Sequence, residues 1–148
     1  MGTEYRTLYD GVLAKIKDYD FFKLSEDEVY AVLQDYIRPA VVRFQSCKKD
    51  LSLRGADGFE EELSDVEVEI LCDFMVVEYL DSNYIRSQAA MKQVLSNKDF
   101  NTYSPANLLE KTMAVRSSFL EEARQLMRDY SYRDSSLFDL ETQRGGVV

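Results

Sequence analysis

The sequence contains no histidine and only two cysteines, Cys47 and Cys72. Histidine is the side chain most used for acid–base catalysis and metal binding near neutral pH, so its absence excludes Ser-His-Asp triads, zinc sites that use histidine and histidine-containing di-iron bundles. The cysteines form no metal-binding spacing and no disulfide framework, and we expect them to be small apolar residues in a reducing compartment. The sequence therefore favours neither an enzyme nor a bound cofactor or metal.

Long apolar runs are also missing. No stretch approaches the roughly 18 to 20 apolar residues of a membrane-spanning helix. The N-terminal segment is amphipathic and mixed in charge, whereas a secretory signal is basic and then apolar. We expect a soluble protein, with no membrane partner, that stays in the cell that makes it, and 148 residues are enough for one domain with a core of its own.

Positive charge is scarce relative to negative charge, and the formal net charge is −9. Such a surface repels phosphate and cannot release DNA counterions on contact, so tight, specific nucleic-acid binding is disfavoured. Acidity most often serves solubility. The functional alternative is that the acidic surface lets a polyanion pass without binding it.

Apolar residues recur at spacings of three and four through most of the chain, which predicts an all-α, compact helical bundle. We predict about four main helices plus a short one. The predicted segments are 3–19, a kinked helix from Ser25 through Pro39 to Phe44, a central helix 64–80, a short helix 88–95 and a long helix 105–130.

Helix starts are marked by local chemistry. Ser25 and Glu28, and again Ser64 and Glu67, have the spacing of a capping box. The crowded stretch SNKDFNTYSPANLLEKT ends in a Ser-Pro step, and a proline at the first helical position loses no needed hydrogen bond. The stretch therefore predicts the start of the long helix. An active site is disfavoured, because no nucleophile or base accompanies it.

The segment between Cys47 and Leu63 contains Gly55, Gly58 and an Asp-Gly step, which break any helical period and predict an exposed, flexible loop. Asp50 and Glu61 stand at the first and twelfth positions of a calcium-loop pattern. The fifth position is Arg54, a cation where a ligand oxygen is needed, so we predict no calcium site.

Asp65, Glu69 and Asp73 follow one another every fourth residue on the central helix and form a candidate acidic face. An ordinary solvated face is the common explanation. The functional alternative is a negatively charged wall along a channel through which a polyanion moves. A carboxylate metal site ranks last, because the sequence offers no histidine and no second matching carboxylate helix.

Residues 133–148 show no helical period, and we predict an extended C-terminal tail beyond a helical domain of residues 1–132. Such a tail is either disordered or adds a strand or apolar anchors to a neighbouring subunit. The candidate interface residues of this clasp are Leu137, Phe138, Leu140, Val147 and Val148.

Three segments carry a resemblance: LSDVEVEILCDFMVVEYLDSNYI, MKQVLSNKDFNTYSPANLL and VRSSFLEEARQLMRDYSY. Their succession, over roughly residues 60 to 132, resembles the portal adaptor, or head-completion connector, family of long-tailed bacteriophages. These motifs are structural, and no functional residue of the family transfers to a single position here.

The resemblance implies an all-helical virion protein of the phage neck, made in the bacterial cytoplasm. It implies a closed ring of twelve copies beneath the portal that connects head to tail and extends the DNA channel. The implied partners are further copies of the chain, the portal protein, tail-side neck or tail proteins, and double-stranded DNA that passes without specific binding. Another neck or tail-completion component and a helical assembly chaperone remain as alternatives.

Overall fold

A computed structural model of the chain describes residues 2–16, 24–85 and 105–146, with side chains for 2–16, 24–83 and 109–132. These residues are mostly helical, which confirms the predicted all-α class. Among them, no helix combines the length and the apolar character of a membrane span. The elements are β1 (Thr3–Glu4), α1 (Tyr5–Lys15), α2 (Glu26–Gln34), α3 (Ile37–Arg43), β2 (Gly58–Phe59), α4 (Asp65–Leu80), a π-helical turn (Asp81–Ile85) and α5 (Pro105–Gly146).

Helix α4 is the centre of the core, as its broad apolar surface predicts. Eleven of its sixteen residues are buried, so it is enclosed around nearly its whole circumference. Helices α1, α3 and α5 all pack on it. Its largest apolar side chains lie fully inside the protein: Ile70, Leu71, Phe74, Met75, Val76 and Val77.

The capping box at the start of α4 is confirmed. The backbone N–H of Glu67 donates to the Ser64 hydroxyl over 3.3 Å, and the Glu67 carboxylate accepts from the backbone N–H of Ser64 over 2.7 Å. At α2, the Ser25 hydroxyl accepts from the backbone N–H of Glu28. Helix α5 begins at Pro105, as predicted, while Ser104 lies outside the described residues.

The prediction of one kinked helix through Pro39 is wrong, because the chain forms two helices. Helix α2 ends at Gln34 and α3 begins at Ile37. Pro39 is the third residue of α3, where its missing N–H leaves no helical bond unmade. In a continuous helix its ring would meet the carbonyl of Asp35, four residues earlier, and the break falls at that residue.

The segment 47–63 is more ordered than the predicted flexible loop. Its Gly58–Phe59 strand pairs antiparallel with Thr3–Glu4, so Thr3 and Glu4 belong to a strand and not to the first helix. Leu51 and Phe59 are buried. Gly58 is required by this pairing, since a Cβ there would lie 2.3 Å from the backbone oxygen of Thr3.

The C-terminal prediction also needs correction. Residues 133–146 continue α5 as helix, where the sequence predicted an extended tail. The prediction failed because these residues lack an apolar period and so give no helical signal of their own. A helix that is already formed by packing nevertheless extends at little cost, because its nucleus exists. Leu137, Phe138 and Leu140 therefore lie on a helical backbone, with their side chains outside the described residues. Val147, Val148 and the predicted short helix 88–95 lie outside them too.

Candidate functional site

The predicted acidic face does not lie on one solvated surface. Asp65 is exposed and Glu69 is half-exposed, but Asp73 is completely buried. The three residues lie on one side of α4, as their spacing requires. Two helical turns after Asp65, however, α1 and α5 cover that side. The interpretation of Asp65, Glu69 and Asp73 as one exposed wall is therefore wrong at Asp73.

A close approach of α1 to α4 accounts for this burial. Gly11 of α1 lies over Cys72, and a Cβ at Gly11 would come within 2.6 Å of the Cys72 sulfur. One helical turn after Gly11, the same face of α1 presents Lys15. The Lys15 ammonium lies 3.2 Å from Oδ1 of Asp73 and also contacts the carboxylate of Glu69.

Helix α5 adds a third carboxylate, from Glu122, next to Ala123, whose side chain is fully buried. Carboxylate oxygens of Glu69, Asp73 and Glu122 lie within 4.8 Å of one another. We name these three residues the carboxylate cluster. Within it, neither side-chain oxygen of the buried Asp73 accepts a hydrogen bond, although the ammonium of Lys15 is close.

The cluster shifts the ionisation of its members. Burial raises the pKa of Asp73 to about 7; the charge of Lys15 acts in the opposite direction, and Glu122 adds to the rise. For Lys15, burial lowers the pKa, but contact with Glu69 and Asp73 outweighs it, so the pKa of Lys15 rises. Near neutral pH, then, Asp73 exchanges a proton while Lys15 stays charged.

We expect Asp73→Asn to remove a pH dependence from the stability of the chain. Below about pH 4 the carboxyl is protonated in folded and unfolded chains alike. Between there and neutrality only the folded chain keeps the proton, so the free energy of unfolding falls as pH rises. Relative to the parent, Asp73→Asn should gain about 1–3 kcal/mol between pH 4 and pH 8. Urea unfolding with a chelator measures this gain, and parallel pH curves for parent and variant would contradict it.

A second buried carboxylate, Glu67, joins α4 to α5. Besides capping its own helix, Glu67 accepts a 2.7 Å hydrogen bond from the hydroxyl of Tyr130. The Lys49 ammonium lies 3.5 Å away. Burial raises the pKa of Glu67, but hydrogen bonds from Ser64 and Tyr130 and the charge of Lys49 outweigh it, and the pKa falls below its ordinary value. Glu67 therefore stays ionised and accepts the hydrogen bond that joins α4 to α5.

A third group of charges lies at the end of α4. Arg116 of α5 binds Asp81 through two nitrogens, at 2.6 and 3.3 Å. Arg43 of α3 donates to Glu78 over 2.9 Å and lies 3.9 Å from Asp81. Because Glu78 and Asp81 are both buried, these pairs fix the positions of α3 and α5 on α4.

The cysteines offer no activated nucleophile. Burial raises the pKa of the Cys47 thiol to about 11 and that of Cys72 to about 12. A nucleophilic cysteine needs the opposite shift, because the thiolate is the reactive form. Both thiols therefore remain protonated at neutral pH.

A surface groove of about 480 Å³ lies between α1, α2 and the 56–57 segment. Tyr9 and Tyr30 line it with ring centroids 4.9 Å apart. Burial raises the pKa of Tyr9 to about 12, and a hydrogen bond with Glu26 together with burial raises that of Tyr30 to about 12. Neither phenol ionises near neutral pH, so the groove offers aromatic surface and hydrogen bonds instead of a base.

Sequence reasoning identified Glu69 and Asp73 but missed Lys15 and Glu122. Both missed residues stand on predicted helices, and nothing local distinguishes them from exposed charges. A signal did exist for burial of Asp73, because the apolar residues of α4 cover more than half of its circumference and leave little room for a solvated strip. Comparison with known proteins adds no assignment: the chain matches no family model, no curated protein and no solved structure.

Proposed function

We propose that the chain is a structural subunit of the neck of a long-tailed phage virion. In this proposal, copies of the chain form a closed ring beneath the portal, which connects head to tail and extends the DNA channel. Its partners are other copies of the chain, the portal protein and tail-side proteins. The proposal rests on the sequence resemblance and on one feature of the fold.

That feature is the length of α5. At about 1.5 Å per residue, its 42 residues span roughly 63 Å, whereas the 16 residues of α4 span roughly 24 Å. Helix α4 is the main packing partner of α5. Because α5 is more than twice as long as α4, part of α5 extends beyond α4 and is available to contact another subunit or protein, as an assembly component requires.

The charges of the described residues fit a structural role better than a catalytic one. Glu67, Glu78 and Asp81 are buried, and each is engaged by a cation or a hydrogen-bond donor from another part of the fold. Catalytic carboxylates instead face a cleft in which a substrate can reach them. This arrangement supports a non-enzymatic protein.

The acidic balance is compatible with DNA that slides past without binding. A net charge of −9 disfavours phosphate contact over the whole molecule. With Asp73 buried, only Asp65 and Glu69 of the candidate channel residues reach solvent. In the proposed ring, a channel-facing role falls to these two and to other exposed acids.

The direct test combines purified chain with the portal protein encoded by the same genome and images the mixture by electron microscopy. We expect a ring of the chain at the narrow end of the portal. A chain that stays monomeric or dimeric beside unoccupied portals would favour an assembly chaperone, and density at a tail position in virions would favour a tail-completion component. Either result overturns the adaptor proposal.

Truncation after Tyr132 should separate folding from attachment. The truncated chain keeps the core cluster that runs from Tyr5 to Ala123, so we expect it to unfold within about 5 °C of the parent, a shift equivalent to roughly 1–2 kcal/mol. Recruitment to the portal should be lost. Circular dichroism measures the first outcome, and cosedimentation with portal measures the second.

A full-length variant provides the matched control for this truncation. Replacing Leu137, Phe138 and Leu140 together by serine removes apolar contact area while the chain keeps its length. We expect the same loss of recruitment. Val42→Ser changes an exposed apolar residue on α3 and should leave recruitment intact. If the truncated chain binds portal as well as the parent, the C-terminal segment is not a clasp.

A further inference from the structure

We propose that the carboxylate cluster is a binding site for one hard divalent cation of the magnesium, manganese or calcium class. The ligands are Glu69 and Asp73 from α4 and Glu122 from α5. This site is independent of the proposed role in the phage neck, and it would join two helices through one ion.

The geometry of the oxygen atoms fits a single ion. Oxygens bound on opposite sides of such a cation, at about 2.1 to 2.4 Å from it, lie roughly 4.2 to 4.8 Å apart. The three carboxylates supply oxygens that are all within 4.8 Å of one another. One coordination shell therefore accommodates all of them with modest movement.

Asp73 provides the independent reason to expect a ligand. Its side chain is completely buried; the Lys15 ammonium lies 3.2 Å from Oδ1 without meeting hydrogen-bond geometry, and Oδ2 has no hydrogen-bond partner. Buried polar atoms without a hydrogen-bond partner are rare, because leaving water costs free energy that a partner normally restores. One of its oxygens lies within 4.8 Å of a carboxylate oxygen of both Glu69 and Glu122, where a bound cation would coordinate all three.

The ligand chemistry selects the class of ion. All three groups are carboxylates, and oxygen ligands suit magnesium, calcium and manganese, whereas zinc and copper favour nitrogen and sulfur. Glu69 is half-exposed and Glu122 is exposed, which leaves an entry path and room for water ligands.

Lys15 is a built-in competitor for this position. Its ammonium contacts Glu69 and lies 3.2 Å from Asp73, so it neutralises one of the three negative charges. A divalent cation would neutralise more charge and bind more oxygens. The lysine stem is long and flexible, and its head can move into solvent when the ion enters.

The test uses manganese(II) chloride with the full-length chain after removal of metals by a chelator. Electron paramagnetic resonance, in which the signal of free hydrated manganese disappears on binding, should show one ion per chain. Saturating manganese, at about one hundred times its dissociation constant, should raise the melting temperature by roughly 5–10 °C. Sodium chloride at equal ionic strength should not.

Variants distinguish a site from general attraction to an acidic protein. Asp73→Asn is isosteric and should keep the fold but weaken manganese binding at least tenfold, and Glu122→Gln should do the same. Glu121→Gln is the matched control, because Glu121 is an exposed neighbour that pairs with Arg128 on the surface of α5. It should bind manganese like the parent.

Lys15→Met supplies a readout with the opposite sign. If the ammonium competes with the ion, this variant should bind manganese at least tenfold more tightly, and manganese should restore its melting temperature. Should this variant fail to fold, the comparison of Asp73→Asn with Glu121→Gln still decides. Absence of stoichiometric binding by the parent, or equal binding by Asp73→Asn and Glu121→Gln, would overturn the site.

Discussion

Lys15→Met should destabilise the metal-free chain by about 1–3 kcal/mol at pH 7, because the buried Asp73 loses the cation that stabilises its ionised form. Lys15 is the cation in contact with both Glu69 and Asp73, and its own head is largely covered. Without it, the pKa of Asp73 rises further, because the nearby carboxylates of Glu69 and Glu122 are no longer opposed by a cation. Urea unfolding at pH 7 with a chelator measures the loss.

The same experiment contains its own check. Adding Asp73→Asn to Lys15→Met removes the buried carboxyl that has lost its cation, so the double variant should recover most of the lost stability. Such coupling is expected only for residues in contact. Arg38→Met, at an exposed cation on α3, should change stability by less than about 0.5 kcal/mol. Additive effects of the two cluster substitutions would contradict this electrostatic account.

Glu67→Ala should cost about 2–4 kcal/mol, the sum of two losses. The change removes half of the capping box, for which a loss of roughly 1 kcal/mol is typical. It also leaves the hydroxyl of the half-buried Tyr130 without its acceptor and removes the carboxylate near Lys49, which adds about 1–3 kcal/mol. Thermal and urea unfolding of the same samples measure the total.

The direction of the Glu67 effect with pH provides a control. A carboxylate whose pKa is lowered by folding stabilises the protein above its unfolded pKa, and that stabilisation is lost as the pH falls through the folded value. The difference between parent and Glu67→Ala should therefore shrink in acid. Glu62→Ala, at an exposed acid just before α4, should show no comparable loss. An equal loss in both variants would mean that Glu67 acts only through overall charge.

Local chemistry made much of this fold predictable. The start of α4 follows from Ser64 and Glu67, whose side chains satisfy each other's backbone groups without help from the rest of the chain. The all-α class follows from apolar spacing alone. The break before Pro39 was recoverable as well, since the carbonyl four residues earlier belongs to Asp35, where α2 stops.

The features that sequence reasoning missed depend on distant neighbours. Asp73 has the same spacing from Glu69 as Glu69 has from Asp65, and only the packing of α1 and α5 on α4 decides which of them is covered. Glu122 lies about 50 residues from Asp73 along the chain, so no local pattern could pair them. The pairing of Thr3–Glu4 with Gly58–Phe59 was missed for the same reason.

The buried ion pairs also affect how many cations the chain can present to a charged polymer. In the part of the chain whose side chains the structure describes, four acids are buried, and each lies beside a cation: Glu67 by Lys49, Asp73 by Lys15, Glu78 by Arg43 and Asp81 by Arg116. The formal charges of these eight residues sum to zero, so the formal net charge of −9 comes from the rest of the chain. Four of the 18 lysines and arginines are thus already held by buried acids, and fewer cations are left to contact an approaching polyanion.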